Sequence, residues 1–297
     1  MNRRSTLGVS PLTPLWFFLP ALAIYVVFII YPMIDSFFVS LQKWDGVSIR
    51  HTFVGLANYV GFFQDTESLH ALVRTLEWTV GTVVPPTVLG LLLAVALNRD
   101  LPGRMIFRAV FYLPFVMPLV ALGITWSWIF NSDFGALNTL FRGIGLPALA
   151  IQWLSDPKTA LWSIVGTNTW YATGFPMVLF LAGLQTIPEE LYEAAWMDGA
   201  RPIRAFWSIT IPMLRESFVV VVALLIISSL RAFDLIYVMT WGGPGQSTQV
   251  LGVWMYFNTF LFNKAGYGSA IAWIMTIISL AIAIPYIQIL TREKTST

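Results

Sequence analysis

The sequence predicts an all-α integral membrane protein with six transmembrane helices. Three observations carry that prediction. Only 11% of the 297 residues are charged and 57% are hydrophobic, whereas soluble domains carry about 25% charged residues. The mean hydropathy of +0.73 points the same way. Long apolar runs recur along the chain, and about twenty such residues cross a hydrocarbon core of ~30 Å. The net charge of +2 is small, and no basic run suggests nucleic acid. With no cysteine in the chain, disulfides and thiolate chemistry are excluded. His51 and His70 are far apart in polar segments and read as solvated side chains, not as metal ligands.

The runs follow in order within a single predicted domain, 1–297. Residues 1–14 are short and polar, with Arg3 and Arg4. The first span covers 15–34. Its A-x-A triplet, Ala21 to Ala23, lies inside the run and is followed by more apolar chain, so it reads as a retained span and not a cleaved signal. Residues 35–75 are polar with interspersed aromatics. The second span, 76–97, holds Pro85, Pro86 and Gly90, breakers that membrane helices tolerate where neighbours satisfy the freed carbonyls. Arg99, Arg104 and Arg108 fill the next short loop. The third span, 109–130, contains Pro114 and Pro118; the fourth, 159–184, contains Gly174 and Pro176. A loop at 185–216 precedes the fifth span, 217–241, which stops at Gly242-Gly243-Pro244-Gly245. The sixth span is 267–290. Six spans put both termini on one side. Ten lysines and arginines then lie on the short segments of that side and six on the longer segments opposite, so the positive-inside rule makes the termini and the 185–216 loop cytoplasmic.

That loop reads as two short helices broken at a glycine. Pro188 suits a first helical position, and Glu189, Glu190 and Glu193 sit where the helix dipole favours carboxylates. Leu191, Ala194 and Ala195 share a face that the alanines make shallow. Gly199 suits a left-handed helix end. Pro202 starts a second helix with Ile203, Phe206, Trp207 and Ile209 as apolar contacts, and Pro212 is expected to end it. Two readings fit: an amphipathic loop resting on the membrane surface, or a docking element for a second protein.

The loop also resembles a known family. Glu193-Ala194-Ala195, then Gly199, then Ile209–Pro212 stand at the spacing of the E-A-A signature of inner-membrane permease subunits of binding-protein-dependent ABC importers. FVGLANYVGFF after the first span, RAVFYLPFVMP opening the third, FDLIYVMTWGGPG closing the fifth and GYGSAIAWI opening the sixth resemble the sugar-permease branch, of the maltose-permease (MalF) and glycerol-phosphate-permease (UgpA) kind. Ile211 stands where that pattern usually has leucine. The resemblance implies the ABC importer permease fold, with the loop as a coupling helix. Leu191, Glu193, Ala194, Ala195, Asp198 and Gly199 would form its contact with an ATPase. It further implies a second permease subunit, two ATP-binding cassette subunits, an extracytoplasmic solute-binding protein and a bacterial inner membrane. The chain lacks a G-x-x-x-x-G-K-[ST] phosphate loop. ATP and Mg are therefore expected in the partner ATPase and no cofactor in this chain, which is read as a transport subunit and not an enzyme.

A sugar path combines hydrogen-bonding groups with aromatic faces. Asn168, Trp170, Tyr171 and Phe175 in the fourth span and Ser228 and Ser229 in the fifth are the candidates. Tyr171 lies about 20 Å along the helix from Leu184, and the two serines about 17 Å from Ser217, near the membrane middle. Asn168 and the serines would equally serve as helix-joining polar groups. Arg231 and Asp234 lie about 21 and 26 Å from Ser217, near the outer headgroups. Three residues apart, they are expected to pair on one helix face or to contact the binding protein. Glu77 reads as interfacial, and most of the tryptophans as interface markers. The alternative to an importer subunit is a self-contained carrier or membrane enzyme. Either would be expected to show an embedded ionisable coupling site or a reactive cluster, and none is evident at a usable spacing.

Overall fold

The structure is a computed structural model and describes residues 13–292. It is helical apart from one short strand pair. The helices are α1 (Thr13–Tyr25), α2 (Tyr31–Ser40), α3 (Ala57–Gln64), α4 (Thr66–Leu97), α5 (Arg104–Val116), α6 (Leu119–Ile129), α7 (Ala136–Gly143), α8 (Ala160–Ala172), α9 (Gly174–Leu184), α10 (Glu189–Met197), α11 (Pro202–Ala205), α12 (Ile211–Met213), α13 (Arg215–Leu230), α14 (Asp234–Thr240), α15 (Leu251–Tyr256) and α16 (Ala265–Arg292). The strands are β1 (Gln42–Lys43) and β2 (Thr52–Phe53), antiparallel with Gln42 opposite Phe53. Arg3 and Arg4 lie outside the described residues.

The chain forms two compact units. One comprises residues up to Gln64 with Tyr256–Ile274, the other Asp65–Met255 with residues from Met275 on. In the first unit, α1 and α2 continue into each other through a wide turn at Val26–Ile30, where the Tyr31 N–H reaches the Val26 carbonyl. The wide turn sits just before Pro32, whose missing N–H breaks the regular ladder. Asn58 donates to the Ser40 and Gln42 carbonyls at 2.8 and 2.9 Å, and Tyr59 bonds Ser40 at 2.7 Å. The polar segment between the first two runs is thus tied down by its own side chains. His51 lies there beside Trp44; His70, expected in a loop, is exposed on α4.

The second unit is built on α4. This helix has 32 residues, so it is about 48 Å long and overshoots a ~30 Å hydrocarbon layer. Asp65 caps it by accepting from the Ser68 N–H. Pro85 and Pro86 lie inside it without ending it. Hydroxyls of Thr82 and Thr87 bond the Trp78 and Val83 carbonyls of the same helix. Leu91 and Ala94 of α4, Phe180 and Leu181 of α9, and Val221 and Leu225 of α13 form the core. Gly90 is where α4 meets α9. A Cβ there would stand 2.5 Å from the Pro176 Cβ, so only glycine lets the backbones approach.

Three of the expected spans are broken. Residues 109–130 are not one helix: α5 and α6 meet at 99°. Pro118 forces Met117 out of the helical region, to φ −71°, ψ 140°. Residues 159–184 divide at Thr173, where the missing N–H of Pro176, three residues on, frees the Ala172 carbonyl. Residues 217–241 divide between α13 and α14. Among the described residues, three helices are individually long and apolar enough to cross a membrane, Phe18–Ser40, Thr66–Leu97 and Ala265–Tyr286, or up to five if each of two bent pairs is one span.

Candidate functional site

The helix breaks of the second unit converge on one cavity of about 540 Å³. Broken backbone carries unsatisfied polar groups, and in membrane helices it is tolerated where it lines a cavity. Phe115 and Leu119 come from either side of the α5–α6 bend. Asn168, Tyr171 and Phe175 flank the Thr173 break. Ser228, Ser229, Arg231 and Asp234 flank the break after Leu230. One wall is aromatic: Phe115 stacks on Phe175 at 5.3 Å and leans on Tyr171 at 5.4 Å.

Several polar groups on the wall have no protein partner. The Asn168 amide, the Tyr171 and Ser228 hydroxyls, the Arg231 guanidinium and the Asp234 carboxylate make no hydrogen bond or ion pair with any described residue. Ser229 differs: it is buried and donates to the Ile226 carbonyl at 2.8 Å and to Thr79 of α4 at 3.2 Å. It joins two helices. Arg231 and Asp234 do not pair on one helix face as expected, because the helix ends at Leu230 and Phe233 takes φ −148°, ψ −62°. Trp170 does not line the cavity; it is 45% exposed and packs edge-on against Trp126 at 5.5 Å. Trp78, not among the sequence candidates, lines the wall at 3% exposure with its Nε1 unpaired. Glu77 pairs with Arg74 at 2.6 Å.

A second arrangement sits at α10. Pro188 stands at the N-cap position with extended backbone, one residue before the first helical position expected for it, and Gly199 ends the helix at φ +75° with open space around it. The Ala200 N–H bonds the Ala195 carbonyl at 2.8 Å and the Gly199 N–H bonds that of Trp196 at 3.0 Å, the paired closure of a helix end that needs a left-handed residue. Leu191, Glu193, Ala194 and Asp198 are exposed and Ala195 is half-buried. The face they make is covered by nothing in the described chain. Met197, Ile203 and Trp207 are exposed too, at 89%, 75% and 65%. Of the apolar residues expected to pack from the second short helix, Phe206 and Ile209 reach the core and Ile203 and Trp207 do not. Pro212 does not stop that helix at once. A wide turn at Phe206–Thr210 absorbs its missing N–H, and the helix runs on to Met213. Beside α10 lies a polar cavity of about 560 Å³, with Arg104 and Arg108 on one side and Glu189, Tyr192 and Glu193 on the other. Arg104 is paired with Asp100, and Arg108 donates to the Leu97 carbonyl at the end of α4.

Comparison with known proteins agrees with this architecture. Residues 87–292 match the family described as binding-protein-dependent transport system inner membrane component. The chain is 36% identical over 277 residues to the probable ABC transporter permease protein YurN of Bacillus subtilis (strain 168), covering 93% of this chain and 94% of that protein. It is 36% identical over 271 residues to the trehalose/maltose transport system permease protein MalF of Thermococcus litoralis, covering 91% of each. A chain of the bacterial alginate ABC transporter, solved in complex with alginate pentasaccharide-bound periplasmic protein, shares the fold at a TM-score of 0.80 and 20% identity, over 92% of both chains. An E-A-A loop, a membrane domain of broken helices and a match across two thirds of the chain have one explanation: the protein belongs to the inner-membrane permease components of binding-protein-dependent ABC transport systems.

Proposed function

We propose that this permease imports a sugar or a related polyhydroxylated solute, such as an oligosaccharide, glycoside or polyol, through the cavity beside Asn168 and Tyr171. The observation that carries this is the pairing of an aromatic wall with polar groups that the protein itself leaves unbonded. A sugar ring presents an apolar face and a hydroxyl edge, which matches such a wall. The volume falls within the range of about 300–1,000 Å³ found for small-molecule sites. The trehalose/maltose permease among its relatives is consistent with this class.

Transport proceeds by alternating access, driven from outside this chain. Leu191, Glu193, Ala194, Ala195, Asp198 and Gly199 form the surface on which a separate ATPase subunit docks, and that subunit binds the ATP and Mg. Exposure of this face supports the reading, since a shallow alanine surface suits a groove. The partners are a second permease subunit, two ATP-binding cassette subunits and an extracytoplasmic binding protein. The arginine distribution supports cytoplasmic termini.

The experiment is co-purification followed by uptake. A tagged chain, solubilised gently with its neighbouring gene products, is expected to bring down an ATPase. The proteoliposomes made from it are expected to take up the solute held by the binding protein only when ATP is inside. Recovery of the chain without any ATPase, or uptake without ATP, would overturn the proposal.

A further inference from the structure

We infer that Arg231 and Asp234 hold the solute between them as a guanidinium–carboxylate pair and thereby select a polyhydroxylated solute of no net charge. This rests on the cavity being the solute site. Arg231 closes α13 and Asp234 opens α14, with the non-helical Ala232 and Phe233 between them. Both line the cavity and both are exposed, yet neither side chain pairs with the other or with any described residue. Among the described residues lining it, they alone are charged. Charged groups that the protein leaves unpaired on a cavity wall keep their hydrogen-bonding capacity for a ligand.

The sign of the two charges decides what bridges them. An anionic solute gains at Arg231 and loses at Asp234; a cationic one does the reverse. A neutral vicinal diol suits both. Its two O–H groups donate to the two carboxylate oxygens, and its oxygen lone pairs accept from the planar guanidinium fork. The aromatic wall of Phe115, Tyr171 and Phe175 then covers the ring face. A helix break is what allows this: on an unbroken helix, residues three apart lie close enough to neutralise each other.

The test uses the complete transporter, with its second permease, ATPase and binding protein, in proteoliposomes holding ATP. The probes are radiolabelled maltose, trehalose, a glucuronic-acid disaccharide and glycerol 3-phosphate. Uptake is expected for a neutral probe and not for the anionic ones. R231Q and D234N are each expected to lower maximal uptake about tenfold or more, the scale of a lost hydrogen bond to a charged group. Half-saturation, set by the binding protein, stays unchanged. The reversed double variant R231D/D234R is not expected to recover. Where R231Q fails to reach the membrane, R231K keeps the charge, loses the fork and is expected to show the same loss. Three results would overturn the inference: uptake of an anionic probe in preference to the neutral ones, recovery by the reversed double, or single variants within about twofold of the parent, the scale of an exposed ion pair. If Tyr171→Ala abolishes uptake while R231Q and D234N do not, the solute site stands and the selecting pair falls. If Tyr171→Ala and Asn168→Ala are also silent, the solute site itself is misplaced.

Discussion

The Tyr192 hydroxyl meets the Thr210 hydroxyl at 2.9 Å, joining α10 to the wide turn that precedes Pro212. Thr210 is buried and Tyr192 packs against the core, so the bond links an exposed helix to the packed interior. A load applied to α10 therefore has a short route to the foot of α13. Tyr192→Phe removes the bond and leaves the Thr210 hydroxyl buried without it, at a cost of about 1 kcal/mol. The expected outcome is a normal level of protein in the membrane with more ATP hydrolysed per solute carried. Paired ATPase and uptake measurements on the reconstituted transporter check it, and an unchanged ratio rules the route out.

Glu193 lies on the open side of α10, and Gly199 ends the helix at a positive φ. Glu193→Lys reverses a charge at the proposed ATPase contact and is expected to abolish solute-stimulated ATP hydrolysis without changing membrane insertion. Gly199→Pro cannot take φ +75° and loses the N–H that closes the helix on Trp196. Gly199→Ala meets no atom within 4 Å, so its cost is the left-handed backbone alone, roughly 1 kcal/mol. Uptake is expected in the order parent, alanine, proline; equal uptake by the proline variant counts against the coupling role.

The identity of these elements was legible in the sequence because it rests on local chemistry. Pro188, the early carboxylates and Gly199 each act within one or two turns, and the structure shows the helix they describe. Of the candidates for the solute path, Asn168, Tyr171, Phe175, Ser228 and Ser229 line one cavity and Trp170 does not. What was not legible depends on packing between distant segments. The break after Leu230 falls among Ser228, Ser229, Arg231 and Asp234 with no proline or glycine to mark where the helix stops, and it undid the expected pairing of Arg231 with Asp234. Trp78, one of the tryptophans expected to mark the interface, is 3% exposed on α4, which packs against α8 and α13. The prolines at 114 and 118 signalled a disturbance, but the size of the bend is set by what α6 packs against: Gly123 there lies against Val238 of α14.

Gly90 is a stability test independent of function. A methyl at this position collides with Pro176 and with the Met177 backbone N at 2.9 Å, and neither is the end of a flexible chain. Gly90→Ala is expected to cost about 1–3 kcal/mol by overpacking, and Gly90→Leu to prevent stable assembly. Thermal denaturation of the detergent-solubilised complex, followed by size-exclusion chromatography, reads the difference. An unshifted midpoint for the alanine variant would mean that α4 and α9 part more easily than their shared core implies.

Ser228 and Ser229 are neighbours in sequence with opposite surroundings, and they separate transport from stability. Ser229 is 5% exposed and bonds across to Thr79; Ser228 is exposed to the cavity and bonds to nothing described. Ser229→Ala removes an interhelical hydrogen bond, worth about 0.6 kcal/mol on average in a membrane protein. It is therefore expected to lower the thermal midpoint of the solubilised complex slightly while leaving uptake near the parent level. Ser228→Ala removes a hydroxyl that costs the fold nothing, so stability is expected to hold while maximal uptake falls several-fold, by about 1 kcal/mol of a hydrogen bond made to the solute. Measuring both properties on both variants decides the matter. If the two serines behave alike, the cavity face of α13 has no distinct part in carrying the solute.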